Sequence, residues 1–119
     1  ELFVGDVHFD ALYAGEEPSR ARLNVVRFAP GARTAWHAHA VGQTLHVTEG
    51  VGYVQSRGGE LLELHPGDTV HTPAGEWHWH GACADRFMTH LALWEAPHPS
   101  DDEPETTWGE HLADGEYPG

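Results

Sequence analysis

Residues 31–50, GARTAWHAHAVGQTLHVTEG, bring His37, His39 and Gln43 into one short window fenced by glycines. On an extended strand, residues two apart share a face, so the two imidazoles point the same way. Gln43 has the same parity as the pair if the intervening residues 40–42 preserve it. Imidazole is the commonest protein ligand for zinc, iron, copper or nickel, and an amide oxygen can fill a further position. Taken alone, the His-x-His pair reads equally well as two surface histidines on a polar loop.

A second stretch changes that balance. Residues 67–82, GDTVHTPAGEWHWHGA, place His78 after a Pro-x-Gly turn at Pro73 and Gly75. The first stretch runs Gly31, five residues, His37, one, His39, three, Gln43, six, Gly50; the second runs Gly67, five residues, Pro73, one, Gly75, two, His78. Both spacings, in this order and with a short gap between them, resemble the two motifs of a small single-domain cupin of the cupin 2 type. The resemblance implies an all-β fold, the antiparallel cupin barrel also described as a jelly roll or double-stranded β-helix. It further implies one divalent ion per chain, held by His37, His39, Gln43 and His78.

Two residues depart from the usual cupin pattern: Gln43 stands where glutamate is common, and Ala82 where asparagine often closes the second motif. The stretches RTAWHAHAVGQTLHVTEG, HPGD, GEWHWHGA and MTHLALWE are similar to the bacterial cupin hydroxynitrile lyases, the mandelonitrile-lyase-like cupins. That likeness covers most of the chain, from about Phe3 to Tyr117, and includes the tail TTWGEHLADGEY. It implies that His90 is the base, and that Asn24 and Val26 line the substrate pocket. Trp94 takes a position near the substrate where relatives can carry a glutamine, and its bulk restricts what fits.

Read without the resemblance, His90 is a polar group on a mostly apolar strand face and looks like a hydrogen-bonded core histidine. His80 shares a strand face with His78, which leaves it open as a supporting group, a substrate contact or a further nitrogen donor. Trp77 and Trp79 point the other way and read as packing or subunit interface. His46, His65 and His71 fall on outer faces or turns, and His8, His98 and His111 match no motif; none of the six is expected to do chemistry.

The donors carry the chemistry further. Three neutral imidazoles and a neutral amide leave a divalent ion its full double charge, which strengthens it as a Lewis acid toward an alkoxide or bound water. Manganese, iron, zinc and nickel all suit such donors, with manganese or iron expected. Four protein ligands leave open positions on an ion that accepts five or six. The activity implied is reversible cleavage of a cyanohydrin into an aldehyde or ketone and hydrogen cyanide. The same donors would also serve a metal-dependent dioxygenase of a small substrate, or a cupin that binds a metal or small ligand without catalysis.

Composition bounds the rest. At 119 residues the chain is one domain, long enough to bury a core without a disulfide. Its single cysteine, Cys83, allows no intrachain disulfide, so a reducing cytoplasm is the expected compartment. No apolar run approaches the ~20 residues of a membrane span, and no signal-peptide pattern opens the chain. Six basic and nineteen acidic residues give a net charge of −13, which argues against nucleic acid and anionic membranes as partners. All six bases are arginine, so no lysine is present for Schiff-base chemistry. A small-molecule substrate and a homo-oligomer, dimer or tetramer, are the expected partners.

The elements that must position these residues read as strands. Residues 7–13, 21–29, 43–49, 53–57, 60–64, 69–72, 77–80 and 86–95 are rich in β-formers, and glycine- or proline-containing turns separate them. Strands at this interval suggest an antiparallel sandwich or barrel. In residues 86–95, Met88, His90, Ala92 and Trp94 share one face and Phe87, Thr89, Leu91 and Leu93 the other. Both faces are apolar enough to be covered, one by the cavity and the other by sheet or subunit. Residues 1–97 are expected to form the barrel, and 98–119 an acidic tail packed on it or extending it. With eight acids and no arginine after Leu93, that tail reads as a solvated flap rather than part of a site.

Overall fold

The computed structural model describes residues 2–119. Twelve strands follow one another along the chain: β1 (Phe3–Val4), β2 (Val7–Ala14), β3 (Ala21–Phe28), β4 (Arg33–Thr34), β5 (His37–His39), β6 (Gln43–Gly50), β7 (Gly52–Ser56), β8 (Leu61–Leu64), β9 (Thr69–Thr72), β10 (His78–Ala82), β11 (Met88–Glu95) and β12 (Thr106–Trp108). The one helical turn among the described residues is the 3-10 turn Pro99–Asp101. None of these residues forms a helix long and apolar enough to cross a membrane.

All pairings are antiparallel and fall into two sheets. One holds five strands in the order β2-β3-β11-β6-β9; the other holds seven, with β1-β4-β10-β5-β12 as its spine and β7 and β8 joined through β10. The inward residues of both sheets meet in one core. Val26, Phe28, Leu45, Val47, Met88 and Ala92 come from the first sheet, and Val54, Leu64 and Ala82 from the second. Fully burying a Val, Leu, Phe or Met side chain is worth about 1.5–3 kcal/mol, so this interlayer contact holds the sheets together. The all-β jelly-roll architecture expected from the motifs is the one observed.

Four short strands escape the periodicity analysis. β1 and β4 are two residues each and β5 and β12 three, too short for alternation to register. β12 matters most, because it pairs along β5 with Thr106 opposite His39 and Trp108 opposite His37. The acidic segment is therefore not a solvated flap: its central strand continues the seven-stranded sheet. Farther on, Tyr117 packs near Trp79 with ring centroids 6.0 Å apart, and Trp79 is fully buried on the outer side of β10. The second face of residues 86–95 is only partly covered by this chain's own strands. Met88, His90 and Ala92 are buried, but Phe87 and Leu93 are 48% and 47% exposed within the single chain.

The two ends of the first motif differ in what they tolerate. Gly50 has φ +81°, and a Cβ there would lie 1.9 Å from the Phe87 carbonyl oxygen, whereas Gly31 has φ +82° with nothing within 4 Å. Gly31→Ala should cost about 1–2 kcal/mol from the left-handed backbone alone. Gly50→Ala carries that term and a backbone collision, and should cost at least twice as much. Urea unfolding of both variants checks this; equal midpoints would show that the sheet yields at Gly50.

Candidate metal centre

The strand register brings the motif histidines together. β5 and β10 are neighbours with His37 opposite His78, so His37 and His39 on one strand stand beside His78 and His80 on the other. Gln43 arrives differently. The chain turns through Ala40, Val41 and Gly42 and enters the opposite sheet, where Gln43 is the first residue of β6 and pairs with both Trp94 and Thr72. Strand parity therefore does not carry Gln43 to the site; the crossing between sheets does.

Ring nitrogens of His37, His78 and His80 all lie within 4.8 Å of one another, the spacing of a shared ion. His39 adjoins this group, its ring centroid 5.1 Å from that of His37 and 5.6 Å from that of His78. Gln43 Oε1 lies 3.1 Å from His78 Nε2. His90 reaches across from β11, with Nε2 3.1 Å from His80 Nδ1. The sequence-derived set His37, His39, Gln43 and His78 is thus gathered at one place, and His80 joins it at least as closely as His39.

Burial governs the protonation of this cluster. It pushes His37 and His80 well below the usual imidazole value of about 6.5, with the charge of His78 adding to the effect at His37 and that of His90 at His80. Burial also lowers His39 to about 4, again with a contribution from His78, and His90 to about 4. His78 is lowered by burial too. All five rings are neutral at neutral pH, the state in which imidazole binds metal.

The donor set fits a divalent ion. His37 Nδ1 donates to the Ala35 carbonyl at 2.9 Å and His78 Nδ1 to the Glu76 carbonyl at 3.3 Å, which leaves each Nε2 a bare lone pair. The Nε2 of His78 and the Oε1 of Gln43 then face each other as two acceptors, an arrangement that a shared cation makes favourable. Nε2 of His39 and Nε2 of His80 are buried and make no hydrogen bond with any of the described residues. A buried polar atom of this kind needs a partner; an ion would satisfy His39 Nε2, and an ion or a ligand in the cavity would satisfy His80 Nε2.

The cluster opens on a cavity of about 210 Å³ between the sheets, lined by Asn24, Val26, His80, His90 and Trp94 among others. This is smaller than the pockets of about 300–1,000 Å³ that take drug-sized ligands. Each residue assigned to the pocket by resemblance lies in its wall. Trp94 is held there by its Nε1, which donates to Glu105 Oε1 at 3.0 Å. Thr106 and Trp108 also line the cavity and were not anticipated, although the β-forming run TTW was their one sequence signal.

Residues 24–94 match the cupin domain family, a span that contains both motifs and every one of the clustered histidines. The chain belongs to the cupin family. This cupin is 46% identical over 117 residues to a protein named (R)-mandelonitrile lyase from Granulicella tundricola, with 98% of this chain and 86% of that one covered. A solved cupin-like protein from Thermotoga maritima superposes with a TM-score of 0.86 at 34% identity, covering 98% of this chain and 85% of its own. The DMSP lyase DddQ from Ruegeria pomeroyi superposes with a TM-score of 0.70 at 24% identity over 86% of this chain and 51% of that one, a likeness of fold.

Two outcomes follow from this geometry. A neutral buried imidazole binds fewer protons than the same ring in the unfolded chain between the two pKa values, so stability falls as pH falls through that window. With His39 and His90 near 4 and the unfolded value about 6.5, each should remove on the order of 3 kcal/mol from the metal-free protein by the bottom of the window. Urea midpoints should hold steady above pH about 6.5 and drop steeply below it; a flat profile down to pH 5 would contradict neutral burial. His37→Ala and His78→Ala should each lose most of the bound ion on elemental analysis, and a fully loaded His78→Ala protein would show that the ion sits elsewhere.

Proposed function

We propose that this cupin is a metal-dependent lyase that cleaves cyanohydrins, releasing an aldehyde or ketone and hydrogen cyanide. The observation that carries this is His90: a buried, neutral imidazole in the cavity wall, hydrogen-bonded to His80 at the edge of the ion-binding cluster. Among the described residues no aspartate, glutamate, lysine or arginine lines that cavity, and the bases facing a ligand there are histidines. The similarity to a protein named (R)-mandelonitrile lyase supports the same activity.

His37, His39, Gln43 and His78 would hold the divalent ion. When bound, such an ion supplies Lewis acidity that stabilises negative charge on the substrate oxygen. The protein's own residues do the rest. The contact between His90 Nε2 and His80 Nδ1 accommodates one proton. If His80 donates it, His80 Nε2 is a bare ligand and His90 has no free lone pair, because its Nδ1 is then protonated. If His90 donates it, Nδ1 of His90 is free to accept a proton and His80 presents an Nε2–H donor to the substrate. A base at His90 thus goes with the second arrangement, which makes His80 a hydrogen-bond donor and leaves the ion to the other four residues.

In cleavage, His90 takes the hydroxyl proton as the C–CN bond breaks. The bonding pair leaves with cyanide, the carbonyl forms, and cyanide then takes the proton back from His90 as hydrogen cyanide. Phe28, Val26 and Trp94 exclude water from the reacting centre and restrict the substrate to a small, largely apolar cyanohydrin. The indole of Trp94 sets the size limit, being tied down through Glu105 to Arg22.

Mandelonitrile is the test substrate. Removing a general base typically lowers the rate by about a hundred- to ten-thousand-fold. His90→Ala should keep its ion and lose cyanide release by a factor in that range, measured per loaded site and above spontaneous decay. Equal rates would reduce His90 to a core histidine, and oxygen uptake by the wild type without cyanide release would identify a dioxygenase instead. His80→Ala should also retain the ion, whereas His39→Ala should lose it; the reverse pattern would assign His80 as ligand and remove His90 as base.

A further inference from the structure

The C-terminal segment enters the metal centre through one strand. The imidazoles of His37, His39 and His78 are each held at Nδ1, but by different kinds of group. Backbone carbonyls hold His37 and His78, and a carbonyl can only accept, so those two tautomers are fixed. His39 Nδ1 instead meets the hydroxyl of Thr106 at 3.0 Å, and a hydroxyl can accept or donate. The far nitrogen decides between these. His39 Nε2 is buried and without a hydrogen bond, and a buried orphan N–H is among the rarest and least favourable of unsatisfied groups. The proton therefore belongs on Nδ1, with Thr106 Oγ1 accepting it.

We propose that Thr106 is a positioning residue that fixes the tautomer and orientation of His39, so that its Nε2 lone pair is presented to the ion. This rests on the metal-binding assignment made above. The surrounding contacts hold Thr106 to the task. It pairs with His39 across the β5–β12 ladder, and Ala40 N donates to Glu105 O at 2.9 Å. Trp108, one residue beyond Thr107, stacks on His37 at 4.6 Å between centroids and 27° between planes. Glu105 on the other side accepts from Trp94 and Arg22. The three side chains of one short strand and its flank thus reach both histidines of the first motif and the aromatic wall of the cavity.

Thr106→Val keeps the branched shape and removes the hydroxyl, and Thr106→Ser restores it. Loss of an outer partner of a metal-bound histidine typically costs about 10–100-fold in metal affinity. Zinc affinity, measured by chelator competition, should fall by that factor in Thr106→Val and return in Thr106→Ser; Thr107→Val, on the exposed face, should match the wild type. Nitrogen-15 NMR of the metal-free protein gives a readout that simple destabilisation does not move. His39 should show a protonated Nδ1 and a bare Nε2 in the wild type, and a shift of proton toward Nε2 in Thr106→Val. An unchanged ring pattern in that variant overturns the positioning role, whatever the affinity. A wild type that takes up no zinc overturns the metal assignment instead, and the ring pattern then still decides the role of Thr106.

Discussion

Five neutral imidazoles packed into the gap between two sheets are the constraint on which the rest of this structure depends. His37, His39, His78, His80 and His90 are each at most 6% exposed, and no carboxylate among the described residues lines the cavity to balance a positive ring. Burial without a counter-charge keeps them unprotonated, the state in which imidazole can serve as a ligand or a base. It also requires every nitrogen to find a partner. Backbone carbonyls, a threonine hydroxyl and a histidine–histidine contact account for one nitrogen on each ring, and ring nitrogens of His37, His78 and His80 gather within 4.8 Å of one another.

Gln43 sharpens the consequence. A glutamate at this position would share the charge of a bound ion; the amide leaves it intact. The centre is thereby suited to hold a developing alkoxide, and it sits in a cavity whose other walls are Phe28, Val26 and Trp94. An apolar surround strengthens every electrostatic interaction within it. The proposed cyanohydrin cleavage would draw on both properties, since negative charge appears on a single oxygen and a single proton moves to a nearby neutral base.

The short strand that carries His37 and His39 would be an exposed edge without its last partner. β12 covers that edge, and the same backbone bonds that satisfy β5 fix the side chains facing the histidine cluster. Farther along, Arg57 lies over the rings of Trp36 and Trp77 at 4.6 and 5.5 Å from their centroids and pairs with Glu110 at 2.9 Å. Trp36 also exchanges backbone hydrogen bonds with Gly109 and Glu110. Edge protection and site geometry are therefore one structural device, built from a segment whose composition is mostly acid and turn.

The sequence by itself determined the barrel and the identity of the clustered histidines. Runs rich in β-formers and divided by glycine or proline turns mark the long strands β2, β3, β6 and β11, and the glycine-bounded motifs single out His37, His39 and His78. It also marked His90 and Trp94 as sharing a face, since both lie on one strand. What the tertiary structure alone decided is everything that crosses between strands distant in the chain. Gln43 reaches the cluster from the opposite sheet, so its parity with His37 and His39 was coincidental. His80 stands as near the cluster centre as His39, because the β5–β10 register, absent from any local pattern, sets both. Thr106 meets His39 across 67 residues of chain, in a strand of three residues. Alternation cannot be read in so short a run, and the hydrogen bond that gives Thr106 its place exists only after both sheets have closed.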